Sequence, residues 1–129
     1  MESLSRQIMT ENNFPNLKEV EKSEAREEIL QLLAEGEEIV SVFQTVRDQV
    51  IFTNKRVITA NIQAVTGVKK SFYSYPYSRI QYYGIETAGV LDIDSELVLG
   101  FNDGIRLAFD FSFKINIEKI CSLISKYIL

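Results

Sequence analysis

Residues 39–46 (IVSVFQTV) set apolar and polar side chains on nearly alternate positions, the period of a strand with one buried face. The same kind of run recurs down the chain, broken each time by a short polar or glycine-containing stretch. The pattern predicts seven strands, over residues 39–46, 49–53, 56–62, 68–77, 79–87, 95–101 and 105–111. Arg47-Asp48 turns the first pair, Asn54-Lys55 the second and residues 64–67 the third, while Ala88-Gly89 ends the fifth strand. Asn102-Asp103-Gly104 carries the Asp-Gly signal of a hairpin. Pro76 weakens the end of the fourth strand, because proline has no N–H to give to a ladder. Seven strands at short, regular spacing suit an antiparallel barrel or sandwich.

Near both ends the period changes. Ile117, Ile120, Cys121, Ile124 and Ile128 recur at helical spacing, with Glu118, Lys119, Ser122 and Ser125 on other faces, which predicts an amphipathic helix over residues 116–129. A second helix is expected over residues 23–34. Ser23 is its N-cap, Glu24, Glu27 and Glu28 lie in the first turns where the helix dipole favours acid, and Gly36 stops it. Ile29, Leu32 and Leu33 form its apolar stripe. Residues 1–22 are polar, with scattered apolar positions and Pro15, and read as a mobile or loosely docked arm. The expected organisation is therefore an arm and helix over residues 1–35 and one domain over residues 36–129.

With 129 residues the chain can build one core and not two. The net charge of −4 is unevenly placed: residues 1–38 hold ten acidic side chains against four basic, and residues 39–129 hold eight against ten. The β region is thus nearly neutral, without the concentrated basic face that nucleic acid requires. No apolar stretch is long enough to span a bilayer, and the N-terminus has no basic segment followed by an apolar run. Cys121 is the single cysteine and can form no internal disulfide, which fits a reducing compartment. A cytoplasmic protein is the expectation.

Catalytic chemistry has little to work with. The chain has no histidine, which removes histidine triads and histidine metal clusters. Cys121 falls on the apolar face of the last helix and reads as a small buried hydrophobe. Asp92, Asp94 and Glu96 alternate, and so share a face if extended, a spacing that oxygen-seeking cations could use. As an EF-hand the segment fails, because Leu97 stands where glycine and Asp103 where glutamate is required. A solvated strand entry that pairs with a neighbour's cation is the stronger reading. Carboxylate-only chemistry through Glu86 with Asp92 or Asp94 finds no support in the spacing.

The motifs in sequence order carry a resemblance. Val46-Arg47-Asp48 is followed by Ile51-Phe52-Thr53-Asn54-Lys55-Arg56-Val57-Ile58, then Gln63, Thr66-Gly67 and Pro76-Tyr77-Ser78-Arg79-Ile80. Glu86-Thr87-Ala88-Gly89 and Asp92-x-Asp94-x-Glu96-Leu97 complete the set. Over nearly all of residues 37–129 this resembles the bacterial pleckstrin-homology domain family. Asn61 and Ala64 stand where members tend to have Asp and Gly. The resemblance implies a mainly β fold: a seven-stranded antiparallel barrel with a C-terminal capping helix, here with an N-terminal helical extension. It implies no catalysis, no cofactor and ring-shaped homo-oligomers, pentamers in known members.

Candidate surfaces follow from the residues. Arg47 and Asp48 share the first loop, where lipid-binding pleckstrin domains concentrate cations; their charges cancel, which suits a turn or a subunit bridge better than phosphate. Lys55, Arg56, Lys69, Lys70 and Arg79 could form a weak patch for anionic lipid headgroups, although strand alternation splits each adjacent pair across two faces. Phe72, Tyr73, Tyr75, Tyr77, Tyr82 and Tyr83 are the densest aromatic cluster. Stacking of single-stranded nucleic acid needs a cationic groove that this acidic chain does not offer. One face in the core and the other in a subunit interface is the favoured reading. The expected module assembles with itself and binds other proteins, with Arg47, Asp48, Glu86, Asp92, Asp94, Glu96, Tyr75 and Tyr77 as candidate interface or ligand-loop residues. A peripheral membrane adaptor is the alternative.

Overall fold

Alternation becomes strand nearly wherever the pattern asks for it. The computed structural model describes residues 11–62, 69–87, 95–111 and 114–129. Its strands are β1 (Glu11–Val20), β2 (Ile39–Gln44), β3 (Gln49–Thr53), β4 (Arg56–Ile62), β5 (Lys70–Pro76), β6 (Ile80–Thr87), β7 (Ser95–Phe101) and β8 (Arg106–Phe111). The helices are α1 (Glu27–Leu30) and α2 (Ile117–Ile128), and short 3-10 turns occupy Lys22–Glu24 and Tyr77–Arg79. The turn expected over residues 64–67 and Ala88-Gly89 lie outside the described residues.

The strand count corrects the expectation of seven, because the segment read as a loose arm contributes β1. Phe14 and Leu17 are both buried although three residues apart, a spacing that breaks simple strand alternation. A bulge reconciles them. Phe14 lies opposite Phe109 and Leu17 opposite Phe111, so β1 spends one extra residue there, and Asn16 takes a positive φ of 59°. Asparagine tolerates that conformation better than most residues.

The helical extension is also much shorter than expected. Ser23 sits in the 3-10 turn and does not cap a helix; α1 spans four residues, and its N-cap position, Arg26, has no side-chain cap. Tertiary hydrogen bonds replace the local ones. Gln49 of β3 accepts from the Arg26 N–H at 3.0 Å and donates to the Glu24 carbonyl at 2.7 Å. At the other end the Leu32 carbonyl accepts from Arg56, and the Ala34 N–H donates to Glu37. Gly36, with φ +79°, makes the turn into β2.

The chain divides into two compact units. In the unit of residues 18–77, β2, β3, β4 and β5 form an antiparallel meander, and the end of β1 (Lys18–Val20) pairs with β2. Ala25 and Ile29 cover one sheet face, packing with Val42, Ile51, Ile58 and Ala60. On the opposite face Phe43 meets Phe52 edge-on at 5.8 Å. The other unit joins the chain up to residue 17 with residues 78–129. There β6, β7 and β8 form an antiparallel meander and β1 adds to β8 in parallel. The Phe14 and Phe109 rings stack at 5.3 Å.

Helix α2 follows the sequence closely. The Asn116 side chain caps it by accepting from the Lys119 N–H at 3.1 Å. Ile117, Ile120, Cys121 and Ile124 are buried, and Ile128 is half-buried. Tyr83 of β6 and Ser125 of α2 share a hydroxyl hydrogen bond of 2.8 Å.

Candidate interaction surface

The Arg47-Asp48 loop is built as a turn. Thr45 Oγ1 accepts from the N–H groups of both residues, at 3.3 and 3.0 Å, and the Thr45 N–H donates to the Asp48 carbonyl. Asp48 Oδ1 accepts from the Ile62 N–H at 3.0 Å, tying the loop to the end of β4. Arg47 is exposed, as is Val46 at the tip.

The cations are dispersed and partly engaged. Arg56 lies against Glu37, Nε to Oε2 and Nη2 to Oε1, both at 2.9 Å. The same guanidinium donates to the Leu32 carbonyl and to Ser74 Oγ. Burial alone would push the Glu37 carboxyl up, but donation from Arg56, the Ala34 N–H and the Thr53 hydroxyl outweighs it, and Glu37 sits below its ordinary value. Lys70 pairs with Glu28 at 2.9 Å and, with Arg26, holds that carboxyl down at about 2. Lys55, Lys69 and Arg79 are exposed.

The tyrosines separate. Tyr77 is fully buried and its hydroxyl donates to the Thr53 carbonyl at 2.7 Å, so this candidate is a core residue. Tyr73 and Tyr75 stack on one face of β5, their ring centroids 6.4 Å apart, and Tyr73 is 55% exposed. Tyr82 of β6 is 46% exposed and sits across from Gly100. A Cβ at Gly100 would run into the Tyr82 ring, so the glycine lets the ring lie flat on β7.

Asp92 and Asp94 lie outside the described residues. Glu96, the third of that alternating set, faces Glu86 across β6–β7 and Asp110 across β7–β8. Three carboxylates thus stand in a row over three strands. Partial burial, a hydrogen bond with Glu86 and the negative charge of Glu86 and Asp110 raise the Glu96 carboxyl, against an opposing pull from Arg106. Among the described residues no group of three or more His, Cys, Asp or Glu side chains is placed to hold a metal ion. Asp110 and Glu37 were not among the sequence candidates. The Asn102–Gly104 turn signals the first, since a hairpin there brings Glu96 and Asp110 into register.

Outside these clusters, the ladder order leaves two strands at the margins. Among the described residues β5 pairs only with β4, and β6 only with β7. Both carry exposed tyrosines. No helix is long and apolar enough to cross a membrane.

Comparison with known proteins places this geometry. The chain is 46% identical over 72 residues to the uncharacterized protein YjqA of Bacillus subtilis (strain 168), spanning 56% of this chain and 58% of that protein. It is 36% identical over 80 residues to YozO of the same organism, spanning 62% and 69%. Among solved structures it is similar to a DUF1696 family protein with a pleckstrin-homology domain from Shewanella loihica PV-4, with a TM-score of 0.74, 32% identity, and coverage of 89% of this chain and 99% of that one. A pleckstrin-homology domain from Shewanella amazonensis SB2B aligns with a TM-score of 0.58 and 35% identity, over 79% and 83% of the chains. The fold is mainly β with a C-terminal helix, of pleckstrin-homology type. Residues 8–128 match the sequence profile described as the bacterial PH domain, a span that takes in β1 and α2, and the chain belongs to that family.

Proposed function

We propose that this domain is a non-enzymatic interaction module of the cytoplasm that assembles with copies of itself. One observation carries the reading: β5 and β6 each have one strand partner among the described residues and each displays an exposed tyrosine, Tyr73 at 55% and Tyr82 at 46%. Bare strand edges invite pairing with another chain unless something covers them. Tyrosine gives large contact area at low entropic cost and is enriched where subunits meet. The chemistry available elsewhere is poor, since the chain has no histidine and its one thiol is buried.

Light scattering behind a sizing column tests this. A discrete oligomer at micromolar concentration is expected, and a clean monomer overturns it. The membrane-adaptor reading has weaker support, because two of its five cations, Arg56 and Lys70, are already neutralised by Glu37 and Glu28. Salt-sensitive sedimentation with anionic vesicles would revive it.

A further inference from the structure

We propose that residues 21–36 are a displaceable strap over a docking face for an acidic amphipathic helix of a partner protein. This goes beyond the assembly reading and stands whether or not copies assemble. Two strap side chains, Ala25 and Ile29, are buried against Val42, Ile51, Ile58 and Ala60, and Leu33 packs partly buried beside them. Every backbone–backbone hydrogen bond given by the amides of Glu24 to Leu33 closes within the segment itself. The strap can therefore lift without breaking a rung of the β2–β5 sheet. Side chains of the sheet hold it instead: Gln49 at Arg26 and Glu24, Lys70 at Glu28, and Arg56 at the Leu32 carbonyl. A segment with so few buried apolar groups opens locally, ahead of global unfolding.

The strap covers its face incompletely. Helix α1 spans four residues and lacks a side-chain cap, and Leu30 and Leu32 stay 41% and 49% exposed. Ile39 and Phe72, at the rim of the same cluster, are only partly buried. A longer helix with apolar residues four apart, in the places of Ala25, Ile29 and Leu33, would cover more of that rim. Charge fixes the sign of the partner. Arg56, Ile58 and Ala60 share one face of β4, and Lys70 and Phe72 the same face of β5, so the apolar surface is flanked by cations. The strap that answers them carries five acidic side chains against two basic. Lys70 meets Glu28 in a pair with 37% of each side chain exposed, and such surface pairs exchange at little cost. Tethering gives the strap an effective concentration on the order of millimolar, which keeps weaker competitors off.

Fluorescence anisotropy on the full chain tests this, with a labelled synthetic peptide of the sequence of residues 19–36 as the probe. Ile29→Ser loosens the strap, and the variant should bind the peptide at least roughly tenfold more tightly than the wild type does. A peptide with every glutamate replaced by lysine should bind that variant roughly tenfold more weakly. Equal binding of the acidic peptide to variant and wild type, or binding to neither, overturns the strap; equal or tighter binding of the lysine peptide overturns the acidic partner. Should Ile29→Ser fold poorly, Gln49→Ala removes the bonds to Arg26 and Glu24 while leaving the apolar face intact, and it should expose the face in the same way. Hydrogen exchange of the wild type gives a separate reading. Amides of Ile29 to Leu33 should exchange about a hundredfold faster than those of β3 and β4, and equal protection overturns the proposal.

Discussion

Replacing Arg56 with methionine should cost about 3 kcal/mol at pH 7. The Glu37 side chain is only 1% exposed, against 21% for Arg56, and the substitution leaves that carboxylate buried without its cation. Breaking a buried ion pair from one side typically costs about 3–5 kcal/mol. The lower end applies here, because Thr53 Oγ1 and the Ala34 N–H still donate to Glu37, at 2.6 and 2.9 Å. The bonds to the Leu32 carbonyl and Ser74 are lost as well. For a chain of this length the deficit corresponds to a melting-temperature drop of roughly 10 °C. The pH dependence has a definite sign. In the wild type the depressed Glu37 carboxyl contributes stability above its unfolded value, and that contribution is lost as pH falls through the lower folded value. Without Arg56, burial dominates and raises the carboxyl, so Glu37 takes up a proton earlier and sheds its buried charge. The gap between variant and wild type should therefore narrow from pH 7 to about pH 4. Urea unfolding followed by circular dichroism, at one fixed protein concentration, measures it. A deficit under about 1 kcal/mol at pH 7, or one equal at both pH values, would refute the reasoning.

Glu96→Gln should stabilise the protein at pH 7, because the raised wild-type carboxyl favours the fold only while protonated, below its unfolded value, and loses that contribution as pH rises through the folded one. Melting curves should show the advantage shrinking toward pH 4, and an unchanged or lower melting temperature at pH 7 would contradict it. Cys121 is buried and its thiol is pushed up to about 11, chiefly by desolvation with help from Glu118, so a thiol reagent at pH 8 should label it only after unfolding. Rapid labelling of native protein would show that α2 does not hold its apolar face inward. Tyr83→Phe removes the hydroxyl bond to Ser125 and should cost about 1 kcal/mol in urea melts, with a loss near zero ruling out that bond as a tie between β6 and α2.

Much of this fold is legible wherever period and turn chemistry agree. Gln49–Thr53 and Arg56–Ile62 match their expected bounds, and the Asp-Gly turn sets β7 against β8 so that Glu96 meets Asp110. Asn116 announces α2 as its cap. What escapes the sequence is decided by distant partners. Residues 23–34 carry a helix pattern, yet Gln49 and Arg56 take the backbone groups that would have continued it. Phe14 and Leu17 look unrelated until a bulge turns both inward. Of the candidate site, Asp48 proves a turn residue and Tyr77 a core residue. Neither Tyr77's burial nor Arg56's engagement with Glu37 follows from spacing, because each depends on a contact remote in sequence.

The placement of β1 bears on the order of folding. Strands β2 to β5 are joined by neighbours in sequence and can zip together as local hairpins. The Glu11–Leu17 part of β1 must find β8, with Glu11 opposite Arg106, across nearly the whole described chain. Closing so long a loop is slow, and its entropic cost falls due before any contact rewards it. During synthesis β1 leaves the ribosome early and waits for its partner until residue 111 has followed. Amides of β3 and β4 should accordingly gain protection from hydrogen exchange early in refolding, and those along the β1–β8 ladder last.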